Sequence, residues 1–152
     1  MERLEKEFGN VIMPWLGRTM KVIDLFIMDR FHERGIDLTK VQLLLLKRLK
    51  LLNGQPQHNL AFVTNRDKAS LARLLTTMEK KNLVARIPCE TDHRINQIFI
   101  TKHGESELKH AWPVMEEIMH EIQQGVSADE VRVVQQVIKK INKNINAEKL
   151  VA

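Results

Sequence analysis

Arg73 and Lys80 are the side chains around which a chemistry can be read from spacing alone. With Ala69 and Thr76 they stand at i, i+4, i+7 and i+11, so on a helix all four share one side, opposite Leu71, Leu74, Leu75 and Met78. Small and hydroxyl-bearing groups beside two long cations suit a helix that enters a groove about 12 Å wide: small groups permit approach, a guanidinium reads guanine bidentately, and hydroxyls reach phosphates or bases. An ordinary amphipathic surface helix has the same pattern. The surrounding sequence has to decide between them.

Other chemistries find less support. The chain has no Gly-rich phosphate loop, no His-Glu-x-x-His and no nucleophile elbow, so no catalytic residue is assigned, no cofactor is expected, and an enzyme is the weaker reading. Of the six histidines, His103, His110 and His120 lie 7 and 10 residues apart, without an i, i+4 pair or a neighbouring Cys, so no metal site is expected. His58 and His93 stand apart from these. Cys89 is the only cysteine; beside Arg86 and His93 its thiol is a candidate for a lowered pKa, but it lacks a helix-terminal setting.

Charge supports the groove-binding reading. The 152 residues carry 24 Lys plus Arg against 19 Asp plus Glu, a net +5. Residues 40 to 103 hold +8 of it and the two ends together −3, the polarity of a chain whose centre meets a polyanion. A solvated basic face is the plainer alternative. One thiol cannot form an internal disulfide, no apolar run approaches the roughly 18 residues of a membrane span, and the N-terminus lacks the apolar core of a signal peptide. A cytoplasmic protein without membrane contact is expected.

The elements that must position Arg73 and Lys80 are mostly helical. Pro14 suits a first helical position, and Leu16, Met20, Ile23, Phe26, Ile27 and Phe31 then form a stripe that ends at Gly35; Leu4, Phe8, Val11 and Ile12 precede it as a lead-in. Thr39 caps a helix carrying Val41, Leu43 to Leu46, Leu49 and Leu52, too apolar all round to be exposed, which stops at Asn53-Gly54. A short helix is expected near Pro56 to Thr64, and the reading helix from Asp67 to about Lys81. Leu83 to Ile87 and Asn96 to Ile100 then read as a two-stranded hairpin with a charged turn from Cys89 to Ile95. Such a hairpin is unstable alone and must lean on the preceding helices. Three helices and a charged hairpin make a winged helix-turn-helix, whose wing tip carries Arg94 toward a phosphate backbone or a narrow minor groove.

The flanks carry apolar helices. Thr101 caps one with Leu108, Ala111, Trp112, Met115, Ile118, Met119 and Ile122, in which Pro113 should introduce a bend, closing near Gly125. Ser127 with Glu130 makes a capping box for the last helix, where Val131, Val134, Ile138, Ile141 and Ile145 form a seam at steps of 3 and 4, widened by Val137. A lone winged helix does not need this surface. A homodimer through the first and last helices is expected, with two reading helices about one DNA turn apart on a pseudo-palindrome.

Three stretches, in order, resemble the MarR-type winged helix-turn-helix transcriptional regulators. They are Leu38-Thr39-x-x-Gln42; Leu60-Ala61 with Leu71-x-Arg73-Leu74-Leu75-x-x-Met78-Glu79-Lys80-Lys81-x-Leu83-Val84; and Asp92-x-Arg94-x-x-x-Ile98-x-Ile100-Thr101-x-x-Gly104. The resemblance covers about residues 14 to 146. It implies a mostly α fold, α+β only through a small two-stranded wing, in which residues 1–152 form one MarR-like domain: a winged-helix DNA-binding lobe at 38–104 and dimerisation helices at 1–35 and 105–152. It also implies a dimeric DNA-binding regulator, most often a repressor, with double-stranded DNA as partner. Residues 67 to 81 become its recognition helix, Ser70, Arg73 and Thr77 its likeliest contacts to major groove or phosphate, Arg94 the wing residue in the minor groove, and Asp92 its orienter. With Lys68, Ala69, Thr76 and Lys80 these residues make up the expected DNA-facing set. A small aromatic or anionic effector is a further implied partner, with Trp15, Met20, Trp112 and Met115 as candidate pocket residues, although apolar residues at helical spacing are more often plain core. The peroxide-sensing branch of the family keeps its Cys at the first helix beside Tyr partners; this chain has neither. Thr64 and Arg66 stand where the family has apolar residues, and Asn82 where it has Gly. A winged-helix module that binds protein instead of DNA is the alternative, and it would show apolar anchors where Arg73, Thr76 and Lys80 stand.

Overall fold

A computed structural model of the chain describes residues 2–61 and 67–145. Thr64 and Arg66 lie outside the described residues, as does the end of the short helix expected near Pro56 to Thr64.

Helix α1 (Glu2–Phe8) leads through Gly9 and Asn10 into α2 (Ile12–Glu33), which begins two residues before Pro14. At its other end Gly35 adopts φ +65, and the Ile36 amide donates to the Phe31 carbonyl at 2.8 Å, the closing bond of a left-handed helix cap with Ile36 and Phe31 both buried beside it. Helix α3 (Lys40–Leu51) starts on a reciprocal cap: the Gln42 amide donates to Thr39 Oγ1 and the Thr39 amide to Gln42 Oε1. Leu43, Leu45, Leu46 and Leu49 of α3 are fully buried, but Leu44 is exposed mid-helix and Leu51 and Leu52 at its end, so the helix keeps a solvent-facing side that its all-round apolar composition did not suggest.

Helix α4 (Lys68–Lys80) is capped by Asp67 and ends as α2 does, with Asn82 in the glycine-like position at φ 55 and the Leu83 amide on the Met78 carbonyl. Asn is the residue other than Gly that most readily enters this conformation. Strands β2 (Val84–Pro88) and β3 (Asn96–Ile100) pair antiparallel from Val84 opposite Ile100 to Pro88 opposite Asn96. The sheet has three strands, however, in the order β1-β3-β2, where a two-stranded wing was expected. The third, β1 (Gln55–Pro56), is two residues long, and Gln55 pairs with Ile98. It forms because Gly54, at φ +69, turns the chain after α3 back along β3 and donates its amide to the Ile98 carbonyl at 3.0 Å. Two residues, one of them Pro, have no periodicity to read.

Helix α5 (Lys102–Ile122) is capped by Thr101 and runs through Pro113 as one element. After a turn at Gly125, α6 (Ala128–Asn144) begins on the Ser127–Glu130 capping box. The core is one cluster that joins the end of α2 to α3, α4, the sheet and α5, through residues including Phe31, Leu46, Leu75, Met78, Ile98 and Ile118. Arg30 bridges α2 to α5 by bonding both carboxylate oxygens of Glu121 at 2.9 and 3.1 Å, and Arg34 reaches Glu117. Helix α6 contributes no buried residue. Its Val133, Val134 and Ile138, and Ile145 just past its end, are exposed, as are Met20, Val22, Leu25 and Met28 of α2. Met20 is therefore half exposed, not part of a buried stripe, because the single-chain core covers α2 only toward its C-terminal end.

Candidate nucleic-acid interface

Helix α4 is packed on one side and exposed on the other. Leu71, Leu75 and Met78 are buried and Leu74 is half-buried, while Lys68, Ala69, Arg73, Thr77 and Lys80 are exposed. The outward stripe of α4 is thus Ala69, Arg73, Thr77 and Lys80. Thr76, placed on that stripe by spacing, is half-buried, and its hydroxyl donates to the Ala72 carbonyl at 2.9 Å. One step of 100° separates Thr76 from Thr77, and the packing against β2 decides which of the two faces out. Thr77 in turn gives its hydroxyl proton to the Arg73 carbonyl at 3.1 Å.

Arg73 is preset. The Asp67 carboxylate accepts the Ser70 amide and the Ser70 hydroxyl, each at 2.8 Å, and the Ser70 oxygen accepts from Arg73 Nη2 at 3.1 Å. Ser70 therefore spends its one proton on Asp67 and acts here as a rest for the Arg73 guanidinium. The Ser70 amide, then its hydroxyl, hold the Asp67 carboxyl below its usual range, and the Arg73 charge adds to this.

The wing turn is organised on its backbone. Asp92 accepts the Arg94 amide on Oδ1 at 3.0 Å and the Ile95 amide on its carbonyl, and the Cys89 amide closes the turn on the Ile95 carbonyl at 2.8 Å. Asp92 thus fixes the main chain that carries Arg94, and the Arg94 side chain is left exposed. The Cys89 thiol lies 3.2 Å from the Thr91 hydroxyl, and that contact, followed by the amides of Asp92 and Thr91, lowers its pKa. Arg86 and His93, the neighbours suggested by sequence, are not the cause: the Arg86 guanidinium is bound to Glu79 and Thr76. Sequence reasoning gave Arg86 no role beyond that suggested neighbourhood of Cys89. The signal was present, since the two-residue period of β2 puts Arg86 on the inward side with buried Val84, where a guanidinium needs partners.

The four candidate pocket residues are differently placed. Met115 is buried in the core, Trp15 is half-buried and Met20 is half exposed. Trp112 is half-buried against the core, donates Nε1 to Glu116 at 2.6 Å and carries Lys47 Nζ 4.0 Å above its ring. Among the described residues no three His, Cys, Asp or Glu side chains converge as metal ligands, and no helix is long and apolar enough to cross a membrane.

The sequence model of the MarR family matches residues 38–95, from the residue before the α3 cap to the wing turn. Residues 38–95 thus carry the MarR-family pattern, within a winged-helix fold. Structures with the same fold span nearly the whole chain. A mutant MarR from E. coli, complexed with operator DNA, is 24% identical with a TM-score of 0.72, covering 89% of this chain and 98% of its own. The repressor CouR, bound to a 23-mer DNA duplex, superposes with a TM-score of 0.80 at 17% identity, over 90% of this chain and 96% of its own. PcaV from Streptomyces coelicolor, a transcriptional regulator in complex with its natural ligand, gives 0.74 at 15% identity, over 92% and 94%. In this winged-helix fold β2 and β3 form the wing, α4 precedes it, and α1, α2, α5 and α6 flank the matched segment.

Proposed function

We propose that this chain is a homodimeric, sequence-specific transcriptional regulator of the MarR family that represses by occupying a pseudo-palindromic operator. The observation that carries the reading is the outward stripe of α4: Ala69, Arg73, Thr77 and Lys80 face solvent, Arg73 is already steered by Ser70, and no large apolar side chain interrupts them. A protein-binding module would present apolar anchors at those positions. Arg73 reads a base edge from the major groove, Lys68 and Lys80 bind phosphates, Ala69 and Thr77 permit close approach, and Arg94 enters the adjacent minor groove from a turn held by Asp92. Thr76 acts from behind the stripe. Support for a dimer comes from α6, which buries none of its residues against its own chain, and from the exposed methionines and aliphatics of α2. The lobe at 38–104 is then the DNA-binding half of a single domain, and 1–35 with 105–152 the dimerising half. A small aromatic or anionic effector binds beside Trp112, where Lys47 supplies a cation; benzoate should quench Trp fluorescence in the parent and not in Trp112→Phe.

The test is a duplex selected from a pool of genomic fragments, titrated by fluorescence anisotropy at fixed salt. Arg73→Ala should weaken binding at least tenfold and relax preference at one base position per half-site, whereas Lys80→Ala should weaken selected and random duplexes alike. If both variants bind the selected duplex as tightly as the parent, α4 is not the reading element.

A further inference from the structure

The geometry points to Arg86 as the positioning residue that fixes the angle between α4 and the wing, so that their two DNA contacts act as one unit. The inference rests on the DNA-binding reading above. Arg86 lies mid-way along β2, opposite Ile98. Its Nε and Nη2 donate to Glu79 Oε2 at 2.9 and 2.7 Å, and Nη2 also donates to Thr76 Oγ1 at 2.8 Å. Thr76 accepts that bond because its own proton is committed to the Ala72 carbonyl. The acceptors sit three residues apart on the flank of α4, so a rigid planar fork binds two points of the helix and sets its rotation as well as its distance. With 22% of its side chain exposed, Arg86 is better shielded than Arg30 or Arg34, which join α2 to α5.

The wing needs such a tie. The chain between α4 and β2 is only Lys81, Asn82 and Leu83, the shared core reaches β2 at its root through Val84, and Arg94 stands beyond the far end of β2. Five strand residues extend about 17 Å, so a rotation of about 10° at the root moves the tip by roughly 3 Å, the length of a hydrogen bond. Arg73 and Arg94 would then no longer reach their two grooves together. Thr76 therefore contributes to recognition through Arg86, not by contact with DNA.

The experiment measures affinity for the selected duplex with Arg73→Ala, Arg94→Ala and the pair, each in the parent and in an Arg86→Gln background. In the parent the paired loss should depart from the product of the single losses by fivefold or more; with Arg86→Gln the departure should fall below twofold. Arg86→Lys should behave as Arg86→Gln, because a single ammonium cannot bond both acceptors in the fork geometry. A spin label on Cys89 gives a readout without DNA: wing motion should quicken in Arg86→Gln while the melting temperature stays within a few degrees of the parent. Should Arg86→Gln fail to fold, Thr76→Val, which removes the hydroxyl that accepts from Arg86 together with its bond to the Ala72 carbonyl, takes its place in both measurements. A parent that binds no duplex overturns the DNA-binding reading, and the spin-label comparison still judges the tie. A parent that binds, with coupling and wing motion unchanged in Arg86→Gln and Thr76→Val, overturns the inference.

Discussion

Removing cations from the reading surface should change how steeply binding depends on salt, by an amount that the ion-pair pattern fixes. Of the basic groups in the central segment, Lys40, Lys50, Lys81 and Arg86 are already paired, with Asp24, Glu105, Asp37 and Glu79. Lys68, Arg73, Lys80 and Arg94 are exposed on α4 and the wing, and none forms an ion pair among the described residues. If each neutralises one phosphate, a protomer releases counterions with a slope of log K on log salt of about −3.6, and the proposed dimer of about −7. Between 50 and 200 mM salt the affinity should then fall by roughly four orders of magnitude. Lys80→Ala in both protomers removes two contacts and should make the slope shallower by about 1.8. Lys50→Ala, whose ammonium is bound to Glu105 between α3 and α5, should leave it unchanged. Anisotropy titrations of one duplex at five or six salt concentrations measure all three slopes. A parent slope shallower than −3, or an equal change from Lys50→Ala and Lys80→Ala, would refute the assignment of these four cations to the phosphates.

Three further outcomes follow from the same geometry. Ile138→Asp puts a charge into the exposed seam of α6, so the light-scattering mass should fall from twice 17.7 kDa to that value, and a parent already monomeric at micromolar concentration would end the dimer proposal. Gly104→Ala directs a Cβ at the Leu83 carbonyl, where α5 meets the root of the wing; overpacking of this kind costs about 1–3 kcal/mol, and the melting temperature should drop by several degrees. Asp67 and Glu130 are held below the ordinary carboxylate range by the helix-start amides and hydroxyls of Ser70 and Ser127. Their folded pKa values are depressed, so the stability they lend is present above the unfolded values and is lost as pH falls through the folded ones. Asp67→Asn should therefore melt below the parent at neutral pH, and the difference should close as the pH drops below the ordinary carboxylate range.

Much of this was legible before folding because it is local. The caps at Thr39, Thr101 and Ser127 are short-range contacts between a side chain and an amide a few residues on, and all three stand where the sequence pattern puts them, while Asp67 caps the helix that was expected to start there. The hairpin strands and the left-handed Asn82 follow from alternation and backbone sterics in the same way. Arg73 and Lys80 on one face of α4 need only helical periodicity. Other features depend on what lies across the fold. Strand β1 exists because β3 offers it an edge, and the two residues themselves carry no pattern. Thr77 faces out in place of Thr76 because β2 approaches α4 on one flank and Arg86 claims the Thr76 hydroxyl. Met115 is core and Met20 half exposed, though helical spacing alone ranks them alike, because only the C-terminal end of α2 reaches the cluster that α3 and α5 share. Sequence by itself thus determined the long helices, the hairpin, several helix caps and a set of side chains suited to meet a phosphate or a base. The tertiary structure alone decided which of those side chains remain free, since a hydroxyl or a guanidinium is spent or available according to partners many residues away.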